Sequence, residues 1–291
     1  MRSLLLSSVF LVAACSQAAQ DRPHPMTPVS ALTDCARERG ATLISAHRGG
    51  VARGIAENSL PGLHWSARQG AAFAEIDLRN TSDGHIVLLH DETLDRTTNG
   101  TGTLSRMTLD EIRQYRLRDS RGRLTSATIP TLDEAFEAAA EAGIFLQLDL
   151  KTVSPRDAAR AAVASGMTDR VIIIVRNEGQ AASILAIDPN IAISLPIQSE
   201  IDLLNTDIAL NTVVSWLGSG PPEARIEAAL TGMQVESSMH DFSAETRGTM
   251  DYAFYNAMHV EVLAADNVVA AARVLGRAGD HCPADPLDTT D

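Results

Sequence analysis

The stretch Ala71-Ala-Phe-Ala-Glu75-Ile-Asp77-Leu78 and its counterpart Ile144-Phe-Leu-Gln-Leu-Asp149-Leu-Lys151 decide how this chain folds. Each is a short apolar run that finishes in charge. In an extended strand residues i and i+2 face the same side, so Glu75 projects with Asp77, and Asp149 with Lys151. His47 closes a similar run over 41–46, and His90 closes another over 86–89. Polar groups at the carboxyl ends of successive apolar strands are how closed parallel sheets carry chemistry.

Working outward, short apolar runs alternate with helical periodicity along most of the chain. Strands are expected over 42–47, 73–78, 86–90, 144–150, 171–175, 191–195, 212–215, 233–236 and 259–263. Helical patterns fill 60–68, 132–142, 155–165, 178–187, 223–230 and 265–277. Such alternation argues for βαβ units and a parallel sheet. If 73–78 and 86–90 are one strand and its return through Ser82-Asp83-Gly84, eight parallel strands remain, the count of a (β/α)8 TIM barrel. The competing architecture is a doubly wound open sheet, but no glycine-rich phosphate loop follows the first strand. The segment 91–128, with Thr97-Thr-Asn-Gly-Thr-Gly102, a short helix near 109–115 and a charged run over 116–123, reads as a small insertion after the second strand, at the active face. Thr131 then precedes Glu134 by three residues, the spacing of a capping box.

The 291 residues are 45% hydrophobic but only 4% aromatic, which suits aliphatic strands buried between helices. A net charge of −13 excludes nucleic-acid binding driven by counterion release. Any anionic substrate must be held by local cations or a metal. Met1-Arg2 followed by an apolar stretch over 4–14 and Val12-Ala13-Ala14-Cys15 looks like a lipoprotein signal peptide (1–14) with Cys15 as the lipidated residue, although an ordinary secretory signal cut nearby reads similarly. A proline-containing tether over 15–30 and a single domain over 31–291 would follow. This places the protein in a bacterial cell envelope, facing the periplasm, held to the membrane by its N-terminal lipid, with the outer membrane preferred. In that oxidising compartment Cys35 and Cys282 form a candidate disulfide; the alternative is two buried thiols.

Three carboxylates, Glu75, Asp77 and Asp149, offer an all-oxygen site that favours Mg²⁺ or Ca²⁺ over Zn²⁺. His47 and His90 suit general acid–base exchange, since imidazole titrates near neutrality. The attacking group is either water or a hydroxyl of the substrate itself. Arg48 and Lys151 are cations for phosphate oxygens, or else partners of the carboxylates. Glu57 and Asn58 fall at a loop edge beside Arg48, where Asn58 serves equally well as a helix N-cap. His24, His64, His85, His240, His259 and His281 show no ligand spacing, and Trp65 and Trp216 read as packing or pocket-wall residues.

The strings AHRGG at 46–50, ENS at 57–59, FAEIDLRNTSDGHIVLLHD at 73–91, LDRTTNGTG at 94–102, IPTLDEAF at 129–136 and LDLK at 148–151 resemble glycerophosphodiester phosphodiesterases. The resemblance is close over 42–151 and fades to rhythm thereafter. It implies a TIM barrel and hydrolysis of a glycerophosphodiester to glycerol 3-phosphate and an alcohol with a divalent cation. By position it implies His47 and His90 as the catalytic pair, Glu75 and Asp77 as metal ligands, and Arg48 and Lys151 as phosphate contacts. Asp149 stands where the family has Glu. Val262-Leu-Ala264 replaces the family's Trp-Thr, and the terminal motif survives only as Gly279 to Pro286. Two other readings stay open: a phospholipase D-like barrel acting on lysolipids or sphingolipids, and a non-catalytic lipoprotein that binds phosphodiesters.

Overall fold

A computed structural model describes residues 27–282 apart from Gln198. The expected signal peptide, Cys15, most of the tether and the end of the terminal motif lie outside the described residues. The strands are β1 (Leu43–Ala46), β2 (Phe73–Asn80), β3 (Ile86–Leu88), β4 (Phe145–Leu150), β5 (Val171–Ile174), β6 (Ala192–Pro196), β7 (Val213–Ser219), β8 (Glu236–His240) and β9 (Val262–Ala265). All are parallel except β3, which returns antiparallel along β2 with Leu78 opposite Leu88. The ring closes because β1 pairs with both β9 (Leu43 opposite Val262) and β2 (Ser45 opposite Phe73). The result is a (β/α)8 TIM barrel.

The helices are α1 (Pro28–Arg39), α2 (Leu60–Gln69), α3 (Leu109–Ile112), α4 (Leu132–Ala142), α5 (Pro155–Ala164), α6 (Glu178–Leu185), α7 (Glu200–Asn205), α8 (Ala224–Gly232), α9 (Phe242–Arg247), α10 (Tyr252–Ala257), α11 (Val268–Leu275) and α12 (Ala278–His281). Their starts follow local chemistry. In α4, Thr131 accepts from the Glu134 amide and Glu134 reaches back to the Thr131 amide, a reciprocal cap worth about 1 kcal/mol. None of the helices among the described residues is long and apolar enough to cross a membrane.

Buried aliphatics form three groups. The largest lies between strands and helices, with Ile76, Leu148, Ile173 and Ile193 facing Leu132, Phe136, Ala159 and Ala181. A second closes the amino-terminal end of the barrel. There Val29, Leu32 and Ala36 of α1 pack on the first residues of the strands, Leu43, Phe73, Phe145, Ile172 and Val214. The third belongs to the insertion: Leu94, Leu104, Ile112 and Leu117 pack on Val87, Leu89 and Ile129. A disulfide joins Cys35 in α1 to Cys282 just beyond α12, with Cα atoms 6.0 Å apart.

Four expectations need correction. The tether does not run to 30: Thr27 caps α1 and Pro28 occupies its first turn, where the missing amide of proline costs nothing. Strand β8 lies at 236–240 rather than 233–236, because Met233 caps α8 and Gln234 turns the chain at φ 57°. Strand β9 lies at 262–265 rather than 259–263, with His259 at φ 63° making the turn. The last large helix therefore starts at Val268, after Asn267 caps it.

Candidate active site

The parallel register builds the acidic cluster. Across β2 and β4, Glu75 lies beside Gln147 and Asp77 beside Asp149. With Glu75 and Asp77 on one face, three carboxylates meet at the carboxyl end of the barrel. One oxygen from each of Glu75, Asp77 and Asp149 lies within 4.8 Å of the others, a spread that a single ion with oxygen ligands at about 2.0–2.6 Å can bridge. Burial pushes the Glu75 carboxyl well above the usual range, and the neighbouring Asp77 charge adds to it. A buried acid that cannot comfortably ionise beside two others is a donor set that a divalent cation would suit. The carboxylates therefore fit a hard ion.

Each member is oriented by a specific partner. The Arg48 amide donates to Glu75 Oε2 at 2.9 Å. Asn58 donates from Nδ2 to Asp77 Oδ2 at 2.6 Å and accepts the Asp77 amide at 3.0 Å. Asn58 is thus a clamp on Asp77 and not the helix cap; Ser59 caps α2. The Lys151 ammonium sits 2.5 Å from Asp149 and 3.1 Å from Asp77. Burial alone would lower its pKa, but the Asp77 charge and the Asp149 hydrogen bond raise it.

The turn after β1 has unusual backbone geometry. Arg48 and Asn58 adopt φ 53° and 50°, conformations that cost a non-glycine residue about 1–3 kcal/mol and collect at functional sites. Gly50 is required at φ 91°, since an added Cβ would lie 2.0 Å from the Ser66 hydroxyl. The strain at Arg48 aims its amide at Glu75. Its guanidinium meets Glu57 at 3.1 Å, while its buried Nε finds no partner among the described residues.

Both candidate catalytic histidines are built alike. His47 Nδ1 lies 2.7 Å from Asp266 Oδ1, and His90 Nδ1 lies 2.7 Å from Asp91 Oδ1. Hydrogen bonds from Arg96 and His90 hold Asp91 well below the usual carboxylate range. Burial works against ionisation of Asp266, but the hydrogen bond from His47 together with the nearby His47 and Arg48 charges outweighs it and lowers that carboxyl too. Ionised carboxylates only accept, so each neutral ring carries its hydrogen on Nδ1 and has its acceptor nitrogen at Nε2.

These groups share one cavity of about 450 Å³, bordered by His47, Arg48, His90 and Lys151 and by the acidic cluster. Its far wall is aromatic. The Phe242 ring is sandwiched between His47 and His240, each 4.0 Å away, and Trp216 tilts against His240 at 5.4 Å. Burial and the neighbouring His47 lower the His240 pKa, so this wall is uncharged near neutrality. Arg176, after β5, also borders the cavity.

The structure thus brings His47, Arg48, Glu57, Asn58, Glu75, Asp77, His90, Asp149 and Lys151 to one end of the barrel. Cys35 and Cys282 lie at the other end. Sequence reading missed Asp266, Arg96, Phe242 and His240. For His240 a signal existed: like His47, it stands at the carboxyl end of a strand, but that strand was expected several residues earlier.

Comparison with known proteins agrees with this geometry. The model of the glycerophosphoryl diester phosphodiesterase family matches residues 47–200, more than half of the chain. A glycerophosphodiester phosphodiesterase from Caldanaerobacter subterraneus subsp. tengcongensis is 37% identical over 112 residues, covering 38% of this chain and 46% of the relative. Glycerophosphodiester phosphodiesterase 1 from Bos taurus is 40% identical over 112 residues, covering 36% of this chain and 33% of the relative. The matched stretch therefore spans less than half the length of these curated relatives. The crystal structure of a glycerophosphoryl diester phosphodiesterase from Parabacteroides distasonis superposes with a TM-score of 0.74 at 27% identity, covering 80% of this chain and 86% of that one. The chain belongs to the glycerophosphoryl diester phosphodiesterase family.

Proposed function

We propose that the protein hydrolyses glycerophosphodiesters to glycerol 3-phosphate and an alcohol, with His47 and His90 exchanging acid and base roles. The observation that carries this reading is the pairing of two carboxylate-anchored imidazoles with three convergent carboxylates around one cavity. Phosphodiesters resist attack because negative charge accumulates beside a poor leaving group. A divalent ion held by Glu75, Asp77 and Asp149, Mg²⁺ or Ca²⁺, would supply charge neutralisation and acidify a bound hydroxyl. Arg48 and Lys151 grip the phosphate oxygens, and the unpartnered Nε of Arg48 gains an acceptor when it does. One imidazole takes the proton of the attacking hydroxyl and the other delivers one to the leaving alkoxide. Each such transfer contributes about 10²- to 10⁴-fold in rate. The uncharged wall of Trp216, His240 and Phe242 receives the alcohol portion. We place the protein in the bacterial cell envelope, facing the periplasm and tethered by a lipid on Cys15. That placement rests on the small residues before Cys15 and the apolar run preceding them.

The test is product analysis. Purified protein loaded with Mg²⁺ or Ca²⁺ is incubated with glycerophosphocholine and, separately, with a lysophospholipid. Glycerol 3-phosphate from the first, abolished in both His47→Ala and His90→Ala, supports the proposal. A lysolipid phosphate or cyclic phosphate from the second favours the phospholipase D-like reading. No turnover with either ion leaves phosphodiester binding alone.

A further inference from the structure

The insertion carries one side chain whose geometry the acid–base and phosphate contacts do not explain. Arg96 forks onto two carboxylates at once. Nε and Nη2 reach Asp91 at 2.6 and 3.0 Å, while Nη1 and Nη2 reach Glu57 at 2.8 and 2.7 Å. Asp91 is the partner of His90 Nδ1. Glu57 is also the partner of the Arg48 guanidinium, at 3.1 and 3.3 Å. The result is an unbroken chain of alternating charge, His90–Asp91–Arg96–Glu57–Arg48, from one candidate proton-transfer group to one candidate phosphate grip.

Stability alone does not account for it. The Arg96 side chain is 47% exposed, and isolated ion pairs at that exposure contribute only about 0–1 kcal/mol. What a doubly bidentate guanidinium supplies is geometry: each fork fixes the plane and distance of a carboxylate. The surrounding chain is anchored accordingly. Leu94 is fully buried in the insertion's own core. Thr98 Oγ1 donates to the Leu94 carbonyl at 2.8 Å, and Asp95 accepts the Gly102 amide at 3.1 Å. Arg79 holds the His90 main chain by its carbonyl, at 2.8 and 2.9 Å. That leaves the orientation of the ring to Asp91.

We propose that Arg96 is a positioning residue that locks the His90 imidazole and the Arg48 guanidinium into one unit through Asp91 and Glu57. The insertion then serves as a scaffold for that lock. The assignment of a reaction step to each end rests on the phosphodiesterase reading above; the mechanical coupling does not.

The experiment uses the full domain with Arg96→Gln and Arg96→Lys. Three quantities are read: kcat and KM with glycerophosphocholine, the Kd for inorganic phosphate by calorimetry, and the hydrogen-bonded Nδ1 proton of His90 by NMR. In Arg96→Gln, kcat falls roughly ten- to a hundredfold, as for other misplacements of reacting groups. KM and the phosphate Kd rise together with that loss, and the His90 Nδ1 proton exchanges faster with water. Lysine is a point charge that cannot fork twice, so Arg96→Lys restores at most one branch. Asp91→Asn and Glu57→Gln are non-additive with Arg96 present and additive in Arg96→Gln. The proposal falls if Arg96→Gln melts lower but leaves kcat, KM and the His90 proton of the folded protein unchanged, or if only one branch responds. If the parent protein fails to cleave glycerophosphocholine yet the NMR and phosphate readouts both respond, the reaction is wrong and the lock stands.

Discussion

Removing the Lys151 ammonium should make the protein less stable without a divalent ion and more responsive to one. Glu75, Asp77 and Asp149 have oxygens within 4.8 Å of one another. At the outer limit of that separation and an effective dielectric of about 20, a pair of ionised carboxylates repels by about 3.5 kcal/mol, and a closer pair by more. Lys151 is the nearest counter-charge, 2.5 Å from Asp149 and 3.1 Å from Asp77. Deleting one member of a buried ion pair costs about 3–5 kcal/mol. The Lys151 and Asp149 side chains are 20% and 28% exposed, so a discounted loss of about 2–4 kcal/mol is expected for Lys151→Met. Met retains much of the apolar stem and none of the charge. For a domain of this size that is a fall of roughly 5–15 °C in Tm. An ion held by the three carboxylates replaces the missing charge, so much of the loss returns. Scanning calorimetry of parent and variant, each in chelator and in saturating Mg²⁺ or Ca²⁺, gives the comparison. The ion-induced rise in Tm is larger in Lys151→Met than in the parent. A rise equal to or smaller than the parent's would refute the idea that ammonium and cation neutralise the same cluster.

Two further outcomes follow from groups remote from the cavity. The Cys35–Cys282 bridge spans 247 positions, and closing so long a loop stabilises by up to about 5 kcal/mol on the chain-entropy account. Reductant should lower the parent's Tm and leave Cys35→Ser/Cys282→Ser unmoved; a parent melt indifferent to reductant would refute this. Burial pushes the Glu227 carboxyl from 4.5 up to about 8, so the folded state favours the protonated acid. Its contribution is full below 4.5 and is lost as pH rises through about 8. Tm should decline across that interval, and Glu227→Gln should flatten the decline, with Glu236, raised to about 8, retaining part of it. A variant with the parent's slope would count against this assignment.

The barrel was legible because its strands end in charge at matching places. Two same-face pairs, Glu75 with Asp77 and Asp149 with Lys151, stand at the ends of apolar runs, and the register that sets Asp77 beside Asp149 follows once those runs are parallel neighbours. The last strands were misplaced for a physical reason. Strand β8 is Glu-Ser-Ser-Met-His, nearly polar, with Glu236, Ser237 and Ser238 buried, so reading by hydrophobicity slid towards Met233 and Val235. That shift hid His240, and a similar one of three residues at β9 hid Asp266. Arg96 was invisible for another cause: of its partners, Asp91 lies in the same insertion and Glu57 in the loop after β1, and no periodicity relates residues 57, 91 and 96. Asn58 was readable as a neighbour of Arg48 or as a cap but not as the clamp on Asp77, since that partner lies on a strand nineteen residues away.

The helix α1 seals the amino-terminal end of the barrel, and the disulfide fastens the chain's other described terminus to it. Both ends of the domain therefore emerge on the side opposite the cavity. Any fusion partner, affinity tag or solid support attached at residue 27 or 282 hangs from the back of the molecule, and the mouth stays open to dissolved molecules in front of it. A bead or sensor chip carrying the domain by either of these residues leaves the candidate catalytic groups facing the bulk liquid.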